Sequence, residues 1–354
     1  MAKLVDQIEK FELRKSVSIL LLITIISVWA GYSAFNELTF PYEDCGSFGK
    51  GGGIGICTDY GMRLNFMNEY EELHRWNNPI RTVTYELLFL SDNVFGDYRI
   101  IPFISSGFVL LFTYLLTTAL TKRNYTGLIA VLFVLHSPIF FKYDLVMTYP
   151  NFWVTFFLAS LWFSFKTWQL SPVSMFIGFS AKILNILNFP AVMVFVWLTG
   201  NKNRKKIIGT YLGIFGIIIG AVLSTKYIYP TLWHKFYYIL LVQFEFQPVE
   251  FLWWLGMWSI ELFSDKATLF LIFILLPCLF LLKKAKVQNS SAILAMILIF
   301  ILQPAFISGF TEYTNEDYRY LHLVVFVGIG VAFIIPNVKT LMMAFQSYFT
   351  IKKK

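Results

Sequence analysis

Ten apolar stretches, separated by short polar or basic segments, dominate the chain. A helix needs about 20 apolar residues to cross a bilayer, and most of these stretches approach that length. The fifth and sixth are short and are interrupted by Asn185, Asn188 and Pro190, so they form either two spans or one broken span. The pattern predicts an all-α polytopic membrane protein with about ten transmembrane helices. The stretches cover 16–35, 100–120, 126–141, 149–168, 172–186, 188–199, 207–228, 267–282, 290–308 and 320–336.

Composition narrows the class of protein further. Hydrophobic residues make up 57% of the chain and charged residues 14%, whereas an average soluble domain is about 25% charged. These values exclude a soluble globular enzyme, a disordered chain and a disulfide-rich secreted module. The net charge of +8 raises the question of nucleic-acid binding, but basic cytoplasmic loops explain it better. We therefore expect the lipid bilayer as a partner and no nucleic acid.

The distribution of charge predicts the orientation. With ten spans and a cytoplasmic N-terminus, the cytoplasmic segments hold 18 of the 29 Lys and Arg residues and three of the 21 acidic residues. Because Lys and Arg in short loops set topology, both termini are expected in the cytoplasm. The membrane is a plasma membrane or its equivalent, and the first span acts as an uncleaved signal anchor. The expected divisions are a cytoplasmic N-terminus (1–15), a transmembrane domain (16–336) and a cytoplasmic basic tail (337–354).

Two predicted outer segments, 36–99 and 229–266, are much longer than the other loops. Loops of this length are usually functional or contain structure of their own. The first has amphipathic patterns at 60–76 and 80–90, which predict juxtamembrane helices. The second is rich in Trp and Tyr, which favour the headgroup level of a bilayer. We expect these two loops to form a cavity on the outer face. An amphipathic stretch also covers 340–350 of the tail.

The first outer loop carries the carboxylates Glu43, Asp44 and Asp59. A carboxylate at a membrane cavity can act as a general base, although the same residues also suit a solvated acidic loop. Cys45 and Cys57 flank a glycine-rich stretch and are candidates for a disulfide, since both lie on the predicted oxidising side. The glycines match no nucleotide-binding motif. The four His residues are scattered, so no metal and no cofactor is expected.

Several cations lie close to predicted span ends on the outer side. A charge near hydrocarbon is costly and usually marks a pathway, a partner or a ligand. Such cations can bind an anionic lipid head such as a polyprenyl phosphate, because Lys and Arg are the natural phosphate donors. The alternative is that their side chains snorkel to the headgroups. The residues are Arg81, Arg99, Lys142, Lys182, Lys226 and Arg319.

A series of short motifs runs in order along the chain. The acidic pair Glu43–Asp44 follows the first span, and Asn78–Pro79–Ile80 precedes a predicted juxtamembrane helix. Further along come FGDYRIIPFISSG, HSPIFFKYDLVMTYPNFWVTFF, GFSAKILNILNFPA and EDYRYLHLVV. These motifs resemble those of the GT-C glycosyltransferases in their order, in their spacing and in the side of the membrane that each is predicted to face. The resemblance extends over 36–336. The likeness is to the group of dolichyl-phosphate-mannose–protein mannosyltransferases and lipid A aminoarabinose transferases.

This resemblance implies an inverting glycosyltransferase with a GT-C-like core. A sugar would move from a polyprenyl-phosphate-linked donor to an acceptor glycan, lipid or protein on the outer face. Asp44, which lies 35 residues before Pro79, would be the general base, with Glu43 second and Asp59 third. Five residues would bind the donor phosphate, namely Lys182, Arg319, Tyr320, His322 and Arg81.

The chain departs from the family pattern in its third outer loop. Thr148–Tyr149–Pro150 stands where the family has Thr-Asp-Pro, so Asp144 is the candidate for a second acidic site.

Two alternative functions remain open on sequence grounds. One is a polymerase of polyprenyl-pyrophosphate-linked glycan repeat units, which also needs cations on the outer side. The other is a non-enzymatic transporter or scaffold. Transporters usually show repeated halves and charges near the midplane, neither of which the sequence displays, so this alternative is disfavoured.

Overall fold

The computed structural model describes residues 11–35, 82–144, 150–228, 246–311 and 317–351. Within these ranges the regular structure is helical and contains no strand. Four 3₁₀ turns, at Ile183–Leu187, Leu262–Asp265, Asp317–Tyr320 and Ile335–Asn337, join some of the α-helices. The α-helices are α1 (Lys15–Ser33), α2 (Thr82–Phe95), α3 (Ile100–Thr121), α4 (Asn124–His136), α5 (Pro138–Tyr143), α6 (Pro150–Lys166), α7 (Leu170–Ala181), α8 (Asn188–Leu198), α9 (Arg204–Ile228), α10 (Pro248–Glu261), α11 (Lys266–Lys284), α12 (Ser290–Thr311), α13 (Leu321–Ile334) and α14 (Val338–Ile351).

The chain is an all-α membrane protein. The ten apolar stretches are largely helical, although 126–141 is divided at Ser137 between α4 and α5, and 172–186 extends past the end of α7. In the described part of the chain, six helical segments are long and apolar enough to cross a membrane. The remaining apolar stretches form shorter helices, so the ten-span topology stays a prediction. The six segments are Lys15–Ser33, Ile100–Thr121, Arg204–Ile228, Pro248–Lys284, Ser290–Gly309 and Leu321–Ser347.

Each of the two long segments predicted to face outward, 36–99 and 229–266, contains a described helix, and the sequence predicts only one of these two helices. In the first loop, α2 covers most of the amphipathic stretch 80–90, whereas the stretch 60–76 lies outside the described residues. In the second loop, α10 was not expected as a helix. It packs along α12, and its preceding Gln247 N–H donates to the carbonyl of Gly309 at 2.7 Å. A Trp-rich sequence suits both an interfacial loop and a helix packed on a neighbour, which is why composition did not distinguish them.

The centre of the bundle is α13, whose residues 321–330 are all buried. It packs against α4, α11 and α12, while α3 packs against α4 and α6 and α6 packs against α7. A helix that is apolar on every side is stable only when it is surrounded by other helices or by lipid. The sequence of α13 therefore fits its central position.

Side-chain hydrogen bonds tie the helix ends together in two groups. One group, named here the Asn124 end, includes the bonds from Ser18 to the Asn124 carbonyl at 3.2 Å and from Asn289 to the Leu120 carbonyl at 2.8 Å. The opposite group, the Asp144 end, includes the bond from Ser33 to Asp144 at 2.8 Å. The helices α1 and α3 run in opposite directions between these two ends, since Ser106 of α3 is bonded to Asp144 and Leu120 of α3 lies at the Asn124 end.

Close contact between α3 and α4 depends on Gly127. A Cβ atom at this position would lie 2.5 Å from Cδ2 of Tyr114 and 2.7 Å from Oγ1 of Thr118. Small residues allow membrane helices to approach in this way. Gly209 on α9 offers a contrast, because a Cβ atom there would meet nothing within 4 Å.

We predict that Gly127→Ala destabilises the protein by about 1–3 kcal/mol, since the added methyl group overpacks the α3–α4 contact. Gly209→Ala is the matched control, because it gains the same helix propensity without a clash. Thermal unfolding in detergent, followed by intrinsic fluorescence, measures both. Equal melting temperatures for Gly127→Ala and Gly209→Ala would contradict the packing described.

Candidate functional site

The Asp144 end collects charged side chains on short turns between apolar helices. Two short helices flank the first of these turns, with 12 residues in α7 and 11 in α8. At 1.5 Å per residue they measure about 16–18 Å, whereas the hydrocarbon layer of a bilayer is about 30 Å thick. The second turn precedes α13, which belongs to the longer helical segment Leu321–Ser347.

The first turn contains Lys182 and separates α7 from α8. Lys182 has an extended backbone, and the 3₁₀ turn Ile183–Leu187 follows it. Pro190 falls within the first turn of α8, where a missing N–H costs nothing. Gly178 allows the 3₁₀ turn to pack closely against α7, because a Cβ atom at this position would clash with Nδ2 of Asn185. The interruption seen in the sequence is thus a real break between two short helices.

The Lys182 side chain points into the bundle and is only 4% exposed. Its Nζ lies 5.1 Å from the ring centroid of Trp153 on α6. A cation in this position is stabilised by the quadrupole of the indole ring. The lysine is therefore held at the Asp144 end beneath the surface rather than extended towards water.

A chain of amides links the same turn to α12. Nδ2 of Asn188 donates to Oδ1 of Asn185 at 2.6 Å, and Nε2 of Gln303 donates to Oδ1 of Asn188 at 2.5 Å. All three side chains are buried. Buried amides are stable only when they are hydrogen-bonded, so this chain fixes the turn against α12.

The second turn, Asp317–Tyr320, precedes α13 and holds Arg319. This arginine is 5% exposed, and its Nη1 donates to Oγ of Ser308 at 3.0 Å. Tyr320 next to it is fully buried. The helix α12 thus receives contacts from both cation-bearing turns, through Gln303 and through Ser308.

His322 lies between the two turns in an aromatic surrounding. Its ring centroid is 4.8 Å from that of Trp153, 5.0 Å from that of Phe157 and 4.9 Å from that of Phe300. The imidazole is fully buried. Trp153 therefore contacts both Lys182 and His322, and His322 is one helical turn from Arg319. Four of the five predicted phosphate-binding residues therefore lie in these two turns or next to them. They are Lys182, Arg319, Tyr320 and His322.

Asp144, the candidate second acidic residue, is fully buried at the end of α5. Its Oδ2 accepts hydrogen bonds from Nε1 of Trp29 at 3.0 Å and from Oγ of Ser33 at 2.8 Å. Its backbone carbonyl accepts from Oγ of Ser106 at 2.6 Å. Through its carboxylate and its backbone carbonyl, Asp144 therefore joins the end of α5 to the last turns of α1 and to α3.

Asp265 is a buried carboxylate that the sequence analysis missed. It accepts hydrogen bonds from Oγ of Ser137, from the Thr268 N–H at 3.0 Å and from the Thr268 hydroxyl at 2.9 Å. An Asp three residues before a Thr at the start of an apolar run is a helix N-cap signal, which marks its structural role. The short helix α5 contacts both the turn that ends at Asp265 and the turn that contains Arg319.

Six predicted site residues lie outside the described residues. They are Glu43, Asp44, Cys45, Cys57, Asp59 and Arg81. In the described ranges, no group of three or more His, Cys, Asp and Glu side chains is placed to hold a metal ion.

The bond between Trp29 and Asp144 can be tested by a double-mutant cycle. Trp29→Phe keeps an aromatic ring against Phe103 and Phe140 but removes the donor, and Asp144→Asn removes the charge. Because hydrogen bonds to charged groups are worth about 1.5–3 kcal/mol, we predict a coupling free energy of that size. Equilibrium unfolding in mixed detergents measures it.

The control cycle combines Asp144→Asn with Trp253→Phe, since Trp253 on α10 is 60% exposed. This pair should show no coupling, because effects at distant sites are additive. A coupling free energy between Trp29 and Asp144 that is as small as that of the control pair would contradict the hydrogen bond between them.

Comparisons with known proteins leave the chain without an assigned family. No family model, no curated protein and no solved structure matches it. The resemblance to GT-C glycosyltransferases therefore rests on the sequence motifs and remains a prediction.

Proposed function

We propose that the chain is a membrane glycosyltransferase. It moves a sugar from a polyprenyl-phosphate-linked donor to an acceptor glycan, lipid or protein on the outer face of the membrane. The observation that carries this proposal is the pair of buried cations, Lys182 and Arg319, on two turns at the Asp144 end. Both are residues that the motif resemblance assigns to the donor phosphate.

The depth of Lys182 suits a lipid-linked phosphate. If Leu170 and Leu198 lie at one membrane interface, Lys182 lies about 16–18 Å into a hydrocarbon layer about 30 Å thick. Cations at such a depth are expensive to maintain and usually have a ligand or a pathway to serve. A phosphate carried on a polyprenyl chain can reach this depth from within the bilayer.

Charge asymmetry supports an outward-facing Asp144 end. Among the described residues, the Asn124 end carries a dense set of basic side chains and the carboxylate Glu12. The positive-inside rule places such an end in the cytoplasm. The basic residues are Arg14, Lys15, Lys122, Arg123, Lys166, Lys202, Arg204, Lys205, Lys206, Lys283, Lys284 and Lys286.

The contact between Asp144 and α1 supports the assignment of Asp44 as the general base. Ser33, in the last turn of α1, is bonded to Asp144, and Asp44 follows Ser33 by eleven residues. A segment of this length spans at most about 40 Å when extended. Glu43 and Asp44 are therefore tethered to the same end of the bundle as the two cations.

The proposed reaction is a single inverting displacement. The acceptor hydroxyl gives its proton to the carboxylate of Asp44 while its oxygen forms a bond to the anomeric carbon of the donor. The bond between that carbon and the phosphate oxygen breaks, and the polyprenyl phosphate leaves with the electron pair. Lys182 and Arg319 stabilise the negative charge of the leaving phosphate. In the low dielectric of a buried site, this stabilisation is stronger than in water.

The remaining candidates take supporting roles in this proposal. Tyr320 and His322 are buried behind the two turns and keep Arg319 and Trp153 in place. Asp144 holds α1 rather than a substrate, since its Oδ2 already accepts two hydrogen bonds. Arg99 is paired with Asp97 at 2.8 Å, which gives it a structural role at the start of α3.

We predict that a strain without this gene loses one sugar from a surface glycan, lipid or protein. Wild type and Lys226→Gln, a control that removes an exposed cation at the same end, restore it. Asp44→Asn does not restore it, because the acceptor keeps its proton. Lys182→Gln and Arg319→Gln reduce transfer about tenfold or more, since each removes a charged contact to the leaving group.

Mass spectrometry of intact surface glycans and lipids reads out each strain, with membrane insertion checked by immunoblot. Unchanged glycans in the deletion strain would overturn the proposal. A collapse to single repeat units would instead indicate the polymerase. Full activity of Asp44→Asn would move the base to Glu43 or Asp59.

A further inference from the structure

We infer that a groove between α1 and α3 is a binding site for one anionic phospholipid, with the headgroup at the Asn124 end. The groove has a volume of about 900 Å³ and is walled by α1, α3 and the last turn of α6. This size lies within the range of about 300–1,000 Å³ for ligand pockets. The inference does not depend on the proposed transferase activity.

The groove exists because hydrogen bonds hold α1 in place near its two ends, whereas α1 and α3 are separated between these ends. At the Asn124 end, Oγ of Ser18 is hydrogen-bonded to the Tyr114 hydroxyl at 2.8 Å. At the Asp144 end, Trp29 and Ser33 are bonded to Asp144. These polar contacts set the separation of the two helices, so the space between them is a fixed part of the fold.

The length of the groove matches one acyl chain. From Ser18 to Trp29 the helix rises by about 16 Å at 1.5 Å per residue. One leaflet of a bilayer contributes about half of the 30 Å hydrocarbon thickness. Gly107 on α3 faces Trp29, because a Cβ atom there would lie 3.6 Å from Cζ3 of the indole. The indole therefore closes the far end of the groove.

The charge in the groove is confined to its Asn124 end. Between the two hydrogen-bonded ends of α1, the walls of the groove are mostly apolar and include Ile23, Ile26 and Leu111. Lys15 and Lys166 flank the opening at the Asn124 end. Both lysines are exposed. The N-terminus of α1 also lies there, with no side-chain cap, and its free N–H groups favour an anion. Glu12, the nearby carboxylate, is bonded to the Asn124 N–H at 2.9 Å.

These features favour a phospholipid over a transmembrane helix as the occupant. Two cations at one end and hydrocarbon beyond them complement an anionic headgroup with its acyl chain. An occupied groove would also support Trp29 and so strengthen the link between α1 and Asp144.

The test uses the full chain reconstituted in vesicles of phosphatidylethanolamine and phosphatidylglycerol, followed by mild extraction and native mass spectrometry. Wild type should retain one phosphatidylglycerol in preference to phosphatidylethanolamine. Each lysine near a membrane surface contributes about fivefold to binding of anionic lipid. Lys15→Gln with Lys166→Gln should therefore lower the preference about 25-fold. Lys205→Gln with Lys206→Gln, at the same end but outside the groove, should leave it unchanged.

A second pair of variants tests the groove without altering charge. Gly107→Leu fills the space beside Trp29 and should remove retention of the lipid. Gly213→Leu on α9 points into open space and should behave as wild type. Equal retention of the two lipids by wild type would overturn the inference. Undiminished retention in both the lysine pair and Gly107→Leu would overturn it as well, and a dimeric mass without lipid would identify a second copy as the occupant.

Discussion

The buried carboxylate of Asp144 is the contact on which the arrangement of the Asp144 end depends. It binds Trp29 and Ser33 of α1, and its backbone binds Ser106 of α3. A buried charge is stable only when it is hydrogen-bonded or paired, so these partners hold three segments in one geometry. The same contact fixes where the first outer loop begins and sets one end of the groove between α1 and α3.

Two buried turns supply the cations of this end. The turn between α7 and α8 and the turn before α13 place Lys182 and Arg319 among apolar neighbours instead of in water. Trp153, His322 and the amide chain from Asn185 to Gln303 hold the two turns against α6 and α12. Charges held in a low dielectric interact strongly with any anion that reaches them. The fold thereby keeps two cations away from water at the Asp144 end.

The apolar runs along the sequence predicted an all-α membrane protein, although the run 126–141 divides at Ser137 into α4 and α5. The break at Asn185 and Asn188 was also visible, because polar residues and Pro190 interrupt an apolar run. Periodicity did not predict α10, whose Trp residues satisfy a lipid interface and a helix contact equally well. Nor could it place Trp153 and Phe157 beside His322 or pair Asp144 with α1, since these contacts join residues more than 100 positions apart and depend on tertiary packing. Asp265, which the sequence analysis missed, does carry a local sequence signal, namely its capping position three residues before Thr268.

The central claim is that Lys182 and Arg319 form a site for a lipid-linked phosphate, and a binding measurement on the purified chain tests it most directly. The account predicts that a polyprenyl phosphate binds about tenfold or more tightly than the polyprenol of the same chain length. It also predicts that Lys182→Gln with Arg319→Gln removes this difference while the affinity for the polyprenol stays unchanged. Equal affinity of the wild type for the phosphate and the polyprenol would contradict the account.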